Sequence, residues 1–390
     1  MRSYYRGKAA LLALLLFACA SSPAIRTAEV PVEVTQNHVY VPVTIGRHAP
    51  LWFLLDTGAQ ISAFAQTTVD ALHLVPGETG QVRGAGPAVV ETSVFHDVDL
   101  DVGGNAIHVG RIAGVPLTEP SLSEGRAIDG ILGRSVIEQS VFTIDYERRA
   151  LRFGDAAVPA GAVVVPVTFD ARRPVIAAEL TLADGRTLPM RLLVDTGAAR
   201  AVVVNRPFAE KHHVYDSLPL EGPFSVGIGG PSRQRMGRAK RFAVAGFTFD
   251  APVISASLDR AGATAIGEID GLIGGEILRR FTVTLDYARG RLLLAPNAAL
   301  HEPFEADMSG AGFKAADLKF DRILTRYVLP HSPASEAGLQ EGDEIVSVDG
   351  EHVSVQRLRA FFGEPGKRYA LRVRRGGREF DAEIVTRRLV

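Results

Sequence analysis

Cysteine is nearly missing from this chain: its 390 residues contain one, Cys19. No disulfide within the chain can staple the fold, so stability has to come from core burial. Charge of one sign is also lacking, with 43 basic against 44 acidic residues, and nothing points to nucleic acid or an anionic surface as a partner. The run Ala9 to Ala18 is apolar but too short to span a bilayer as a stable helix. There is no Gly-x-Ser-x-Gly turn and no active-site cysteine, which removes the main nucleophilic hydrolase chemistries. His212-His213 has no second ligand pair near it, and the alternating stretch His96 to Val102 lacks the Gly and Glu spacing of a calcium loop. No metal and no cofactor is expected.

What is present is glycine and proline, 39 and 22, falling between short runs rich in Val, Leu, Ile and Phe. That pattern reads as mainly β, and the length allows roughly two to four domains. Residues 1–20 form a targeting segment, with Arg2, Arg6 and Lys8 ahead of the apolar run. Leu16-Phe17-Ala18-Cys19-Ala20-Ser21 resembles a bacterial lipoprotein cleavage site, with Phe17 at a position where it is less usual, and makes Cys19 the candidate lipidation site. An ordinary signal peptide cut after Ala18 or Ala20 remains the alternative. Either one implies export to a bacterial periplasm or envelope, with a membrane contact only through Cys19.

The most informative feature is a duplication. Leu54-Leu55-Asp56-Thr57-Gly58-Ala59 and Leu193-Val194-Asp195-Thr196-Gly197-Ala198 each put an Asp-Thr-Gly-Ala turn behind an apolar strand. At almost the same interval downstream come Asp129-Gly130-Ile131-Leu132-Gly133 and Asp270-Gly271-Leu272-Ile273-Gly274. A single Asp-Thr-Gly would read as a surface turn. Two copies with matching distant partners read as the two halves of one site.

The chemistry of the turn follows from its residues. Two carboxylates brought together in a low-dielectric cleft cannot both stay charged, so they share a proton and titrate as a unit. Thr57 and Thr196 can donate hydroxyl hydrogen bonds to backbone across the interface of the halves. Gly58 and Gly197 let a backbone N–H approach a carboxylate without a Cβ clash. Ala59 and Ala198 offer no hydroxyl that would favour the charged carboxylate.

These segments resemble the active-site loops of aspartic peptidases, and Asp-Thr-Gly-Ala resembles the retroviral type in particular. The resemblance implies two pseudo-twofold β lobes, expected at 30–155 and 160–297, with Asp56 and Asp195 as the catalytic pair. Ile131-Leu132-Gly133-Arg134 matches the family's aliphatic-Gly-Arg strand behind the first loop. The second copy has Gly275 in place of Arg134, which leaves a polar anchor in lobe two in doubt. Gly84 and Gly86, and Gly227 and Gly229, mark Gly-rich hairpin tips where the family carries flaps; exposed turns with no lid role are the alternative. A fused pair of lobes needs only a monomer.

The tail resembles a PDZ domain over 305–390, from Gly310-Ala311-Gly312-Phe313 through Ser332-Pro333-Ala334, Gly342-Asp343-Glu344-Ile345 and Val348-Asp349-Gly350. The resemblance implies that the Gly310–Phe313 loop turns N–H groups toward a peptide's terminal carboxylate beside an edge strand. A groove that is empty or filled by its own chain is the alternative. Joined, the parts lead to the expectation of an envelope aspartic endopeptidase acting on polypeptides. An inactive peptide-binding PDZ adaptor and an enzyme needing homodimerisation with two sites remain open.

Overall fold

In the computed structural model, which describes residues 29–154, 158–159 and 161–390, 47% of the chain is strand and 14% helix. The targeting segment and Cys19 lie outside the described residues. Among those residues no helix is long and apolar enough to cross a membrane.

Lobe one is a sheet in the order Glu33–Thr35, His38–Val43, Leu51–Leu55, Gly130–Leu132, Ala63–Ala65, Asn105–Val115, Val89–Val102, Glu78–Arg83. Leu51–Leu55 runs parallel to Gly130–Leu132, and Ala63–Ala65 parallel to Asn105–Val115. Lobe two repeats this plan: Thr187–Val194 runs parallel to Gly271–Ile273, and Val202–Val204 parallel to Val253–Ser257. Even the register is kept, with Leu55 opposite Leu132 and Val194 opposite Ile273. The two Asp-Gly pairs that accompany the motif pin these strands: Asp129 accepts from Trp52 N–H at 2.8 Å and Asp270 from Arg191 N–H at 2.7 Å.

A six-stranded sheet joins the lobes, each contributing three strands in the order Glu29–Pro31, Ala150–Phe153, Phe142–Asp145, Phe281–Asp286, Arg291–Pro296, Val163–Pro166. At its centre Phe142–Asp145 lies antiparallel to Phe281–Asp286, the two stretches that close the repeats in the sequence. Thr143 sits opposite Thr284 with their hydroxyls 2.8 Å apart and buried, marking the pseudo-twofold axis. One apolar core runs through both lobes.

The tail folds as a five-stranded antiparallel sheet, Ala311–Ala315, Ile323–Val328, Glu344–Val348, Arg368–Arg375 and Arg378–Val385, with helices Pro333–Glu336 and Val355–Phe361. Its own core gathers Phe313, Leu358, Phe362 and Val373, and takes in Leu122 from lobe one. The chain is mainly β, with two like lobes and a separate five-stranded tail domain.

Candidate active site

Each Asp-Thr-Gly turn begins where an apolar strand leaves its parallel partner, with Asp56 N–H on Leu132 C=O and Asp195 N–H on Ile273 C=O, both at 3.0 Å. The bridging sheet then sets the two turns face to face. Thr57 Oγ1 donates to Val194 C=O at 2.6 Å and accepts from Thr196 N–H at 3.0 Å; Thr196 Oγ1 donates to Leu55 C=O at 2.7 Å and accepts from Thr57 N–H at 3.1 Å. Both threonines are 1% exposed. Thr57→Val would leave one N–H without an acceptor and one C=O without a donor in a dry interface. The expected cost is about 2–4 kcal/mol in urea unfolding, with Thr57→Ser losing much less.

The glycines let these loops come so close. A Cβ on Gly58 would lie 2.8 Å from Asp195 Cγ, and one on Gly197 2.5 Å from Asp56 Cγ. Asp56 and Asp195 are therefore neighbours, each packed against the other loop's glycine.

Their surroundings are unequal. Asp56 Oδ1 accepts from Gly58 N–H at 2.8 Å and from Ala59 N–H at 2.9 Å; Asp195 Oδ1 accepts from Gly197 N–H at 2.9 Å, one backbone donor fewer among the described residues. Burial raises both carboxyls above the usual range, and the N–H groups pull Asp56 part of the way back. Asp195 is lifted well above its ordinary value, first by burial and then by the charge of Asp56. The pair titrates as a unit, and the extra N–H donor favours placing its charge on Asp56 and its proton on Asp195.

The hairpin tips of the two lobes meet one another. Gly86 N–H donates to Ile228 C=O at 2.9 Å and Ala88 N–H to Gly229 C=O at 3.2 Å, so the tip of one lobe is bonded to the tip of the other. A Cβ on Gly84 would come within 2.5 Å of the Ile228 side chain, and one on Gly227 within 2.7 Å of Ala85. Ile228 packs against the lobe-one cluster that also takes Trp52, Leu54 and Ala59. The four flap glycines named from the sequence thus all stand at one tip-to-tip contact.

In lobe one, Arg134 donates through Nε to Gln60 C=O at 3.1 Å, bracing the residue that follows Ala59. Lobe two has Gly275 there, and its anchor comes from the other lobe: Asn37 Nδ2 donates to Ala199 C=O at 3.0 Å and to Glu276 at 2.7 Å. The backbone of Asn37 occupies the space a Gly275 side chain would need. His38, next in the chain, places Nε2 3.1 Å from Gly197 C=O and Nδ1 3.3 Å from Glu124. Sequence reasoning missed Asn37 and His38, because the matching two-residue turn of the second half, Ala171-Arg172, keeps the positive φ but neither residue type, so no repeated motif draws attention to them.

In the PDZ domain, Gly310 N–H donates to Asp307 at 2.8 Å and Ala311 N–H to Ser309 Oγ at 3.1 Å, so two N–H groups of the Gly310–Phe313 loop are engaged within the chain. Burial raises Asp307 to about 6 against these donors. The edge strand Ala311–Ala315 and the helix Val355–Phe361 are both covered by lobe-one residues 118–126: Glu119 pairs with Lys314 at 3.2 Å, Leu122 enters the PDZ core, and Gln356 donates to Glu124 and Gly125 C=O at 3.0 and 2.9 Å. Among the described residues no group of three or more His, Cys, Asp and Glu is placed to hold a metal.

Residues 41–136 match the family model described as aspartyl protease, a span that contains Asp56, its loop and the Asp129–Arg134 stretch. Residues 325–375 match the model described as PDZ domain. Lobe two falls outside both spans and is tied to lobe one by the repeated motif and sheet order. No curated protein matches the chain. Two carboxylates gripped between β lobes and a covered edge-strand groove thus fall in a chain that joins an aspartyl protease domain to a C-terminal PDZ domain.

Proposed function

We propose that this protein is an aspartic endopeptidase of the bacterial cell envelope that hydrolyses peptide bonds with a water held between Asp56 and Asp195. The observation that carries the reading is the close placement of the two carboxyls, held by four crossed threonine hydrogen bonds. A proton shared between two such carboxyls is a general property of aspartic proteases and is carried over here. The assignment of roles follows from the unequal N–H donors.

Asp56, ionised, takes a proton from water as its oxygen attacks the scissile carbonyl carbon, while Asp195 gives its proton to the carbonyl oxygen. The resulting gem-diol collapses when the leaving nitrogen takes the proton from Asp56, one gem-diol hydroxyl returns its proton to Asp195, and the C–N bond breaks; no acyl-enzyme forms. Placed proton transfer contributes on the order of 10²–10⁴-fold, and alignment in a closed cleft the remainder. Substrate lies extended beneath the tips, and admission requires the Gly86–Ile228 and Ala88–Gly229 bonds to open. The PDZ domain serves substrate or partner recognition through its groove, after displacement of what covers it. A basic head and a short apolar run ahead of Cys19 support export, with lipidation there as the anchor.

The test is cleavage of an unfolded protein by the chain lacking residues 1–20, beside Asp56→Asn and Asp195→Asn. Activity in the parent and none in either variant is expected; equal activity in all three would remove the dyad. Ala59→Ser with Ala198→Thr supplies hydroxyls that favour the charged carboxylates, so the pH optimum is expected to move down. An unchanged pH profile in that variant would show that the residue after Gly does not tune the pair.

A further inference from the structure

Asn37 and His38 belong to a two-residue hairpin between Glu33–Thr35 and His38–Val43, with φ of 54° at Gln36 and 68° at Asn37. Positive φ at both central residues makes the tight turn whose twist suits paired strands. It is wedged between two bodies. On one side Asn37 and His38 hold the carbonyls of Ala199 and Gly197, both in the Asp195 loop. On the other, Arg359 of the PDZ helix donates to Gln36 Oε1 and to Ser123 C=O, each at 2.5 Å, and stands 3.9 Å from Glu124.

Glu124 closes the chain of contacts, 3.3 Å from His38 Nδ1 and 3.5 Å from Tyr40 Oη. Both ring nitrogens of His38 thus face acceptors, a carboxylate and a carbonyl, and only the imidazolium can donate to both. The charged groups around it are Glu124 from the helix Thr118–Glu124, Asp195 and Asp56 from the two loops, and Arg126 and Arg359 beyond Glu124. Burial pulls the His38 pKa down, but Glu124, the Gly197 carbonyl and Asp195 outweigh it and raise it.

We propose that Asn37 and His38 are positioning residues for Asp195, and that the PDZ domain sets them by gripping residues 118–126 in its groove and bracing the turn with Arg359. The PDZ domain is then a structural part of the peptidase site. The kinetic half of this proposal rests on reading Asp56 and Asp195 as a hydrolytic pair; the geometric half does not.

The imidazolium also favours the charged state of the dyad, since its positive charge lowers both carboxyls. Loss of that charge should move the acid limb of the rate profile to higher pH. A ligand that takes the groove from residues 118–126 would release the brace at Arg359 and weaken the Asp195 loop.

The test compares the parent chain with Glu124→Gln, Arg359→Met and Arg359→Lys, reading kcat and KM on one peptide across pH, and the His38 ring titration and Gly197 amide shift by NMR. Glu124→Gln is expected to lower the His38 midpoint by about one pH unit or more and to raise the acid limb. Arg359→Met is expected to lower kcat roughly tenfold with KM nearly unchanged and to displace the Gly197 amide signal; Arg359→Lys should recover part of the loss. Parent values for kcat, pH profile, His38 midpoint and Gly197 shift in both Glu124→Gln and Arg359→Met would overturn the proposal. If Arg359→Met does not fold, the Glu124→Gln and Arg359→Lys readings decide. A parent chain that cleaves nothing defeats the peptidase reading alone, and the NMR readings still decide whether the PDZ helix positions the loop.

Discussion

Asp195→Asn is expected to give a folded chain that hydrolyses peptide on the order of 10⁴-fold more slowly than the parent, yet unfolds at a higher temperature at neutral pH. The activity loss follows because Asn has no proton to give the carbonyl oxygen. The stability gain follows from the raised pKa of Asp195. A carboxyl raised on folding contributes stability that is fully present below its unfolded pKa, near 3.8, and is lost as pH rises through the folded value. Asn, which never ionises, escapes that loss, so the gain should vanish in acid. Melting curves at about pH 3 and pH 7, read beside initial rates, check both halves. A variant that is inactive but equally stable at every pH would mean that Asp195 is not strained in the parent.

Gly197→Ala is expected to slow the reaction roughly a hundredfold although it removes no reacting group. Its methyl group would stand 2.5 Å from Asp56 Cγ and 2.7 Å from one of its oxygens, where no carbon can sit. Something must move, and both neighbours are fixed: Asp56 by its two N–H donors, and the Gly197 carbonyl by His38. Displacing either carboxyl by about 1 Å costs roughly a hundredfold in rate. The threonine grip lies one residue away and survives, so unfolding in urea should change much less than kcat. Gly58→Ala, whose methyl would meet Asp195 at 2.8 Å, should show the same pattern more mildly. A fully active Gly197→Ala chain would show that the loops are not in contact in solution.

The sequence made the repeated parts visible and the unrepeated ones invisible. Two Asp-Thr-Gly-Ala turns behind apolar strands, each with an Asp-Gly partner at a similar interval, announce two like lobes, since each half must build the same pair of parallel strands. The Gly-rich stretches around Gly86 and Gly229 are readable for the same reason, although their bonding to one another is not written in either stretch alone.

What breaks the symmetry escapes such reading. Arg134 has no copy because Asn37, far away in the chain, takes over its task and needs Gly275 bare. The stretch 118–126 reads as part of lobe one, and nothing in it shows that Leu122 will be buried in the PDZ core. The Gly310–Phe313 loop was expected to offer its N–H groups to a peptide carboxylate; Asp307 and Ser309, within three residues, take two of them first. Such contacts join segments whose meeting is decided by the packing of whole domains.

One experiment bears most directly on a single site built from both lobes of one chain. Asp56→Asn and Asp195→Asn chains are unfolded together, refolded as an equal mixture and assayed beside the parent over a wide range of dilution. A dyad within the protomer predicts a parent whose activity per molecule does not change on dilution and a mixture that stays inactive. Activity recovered in the mixture, or a parent that loses its activity per molecule on dilution, would place the two carboxyls of each site on different chains.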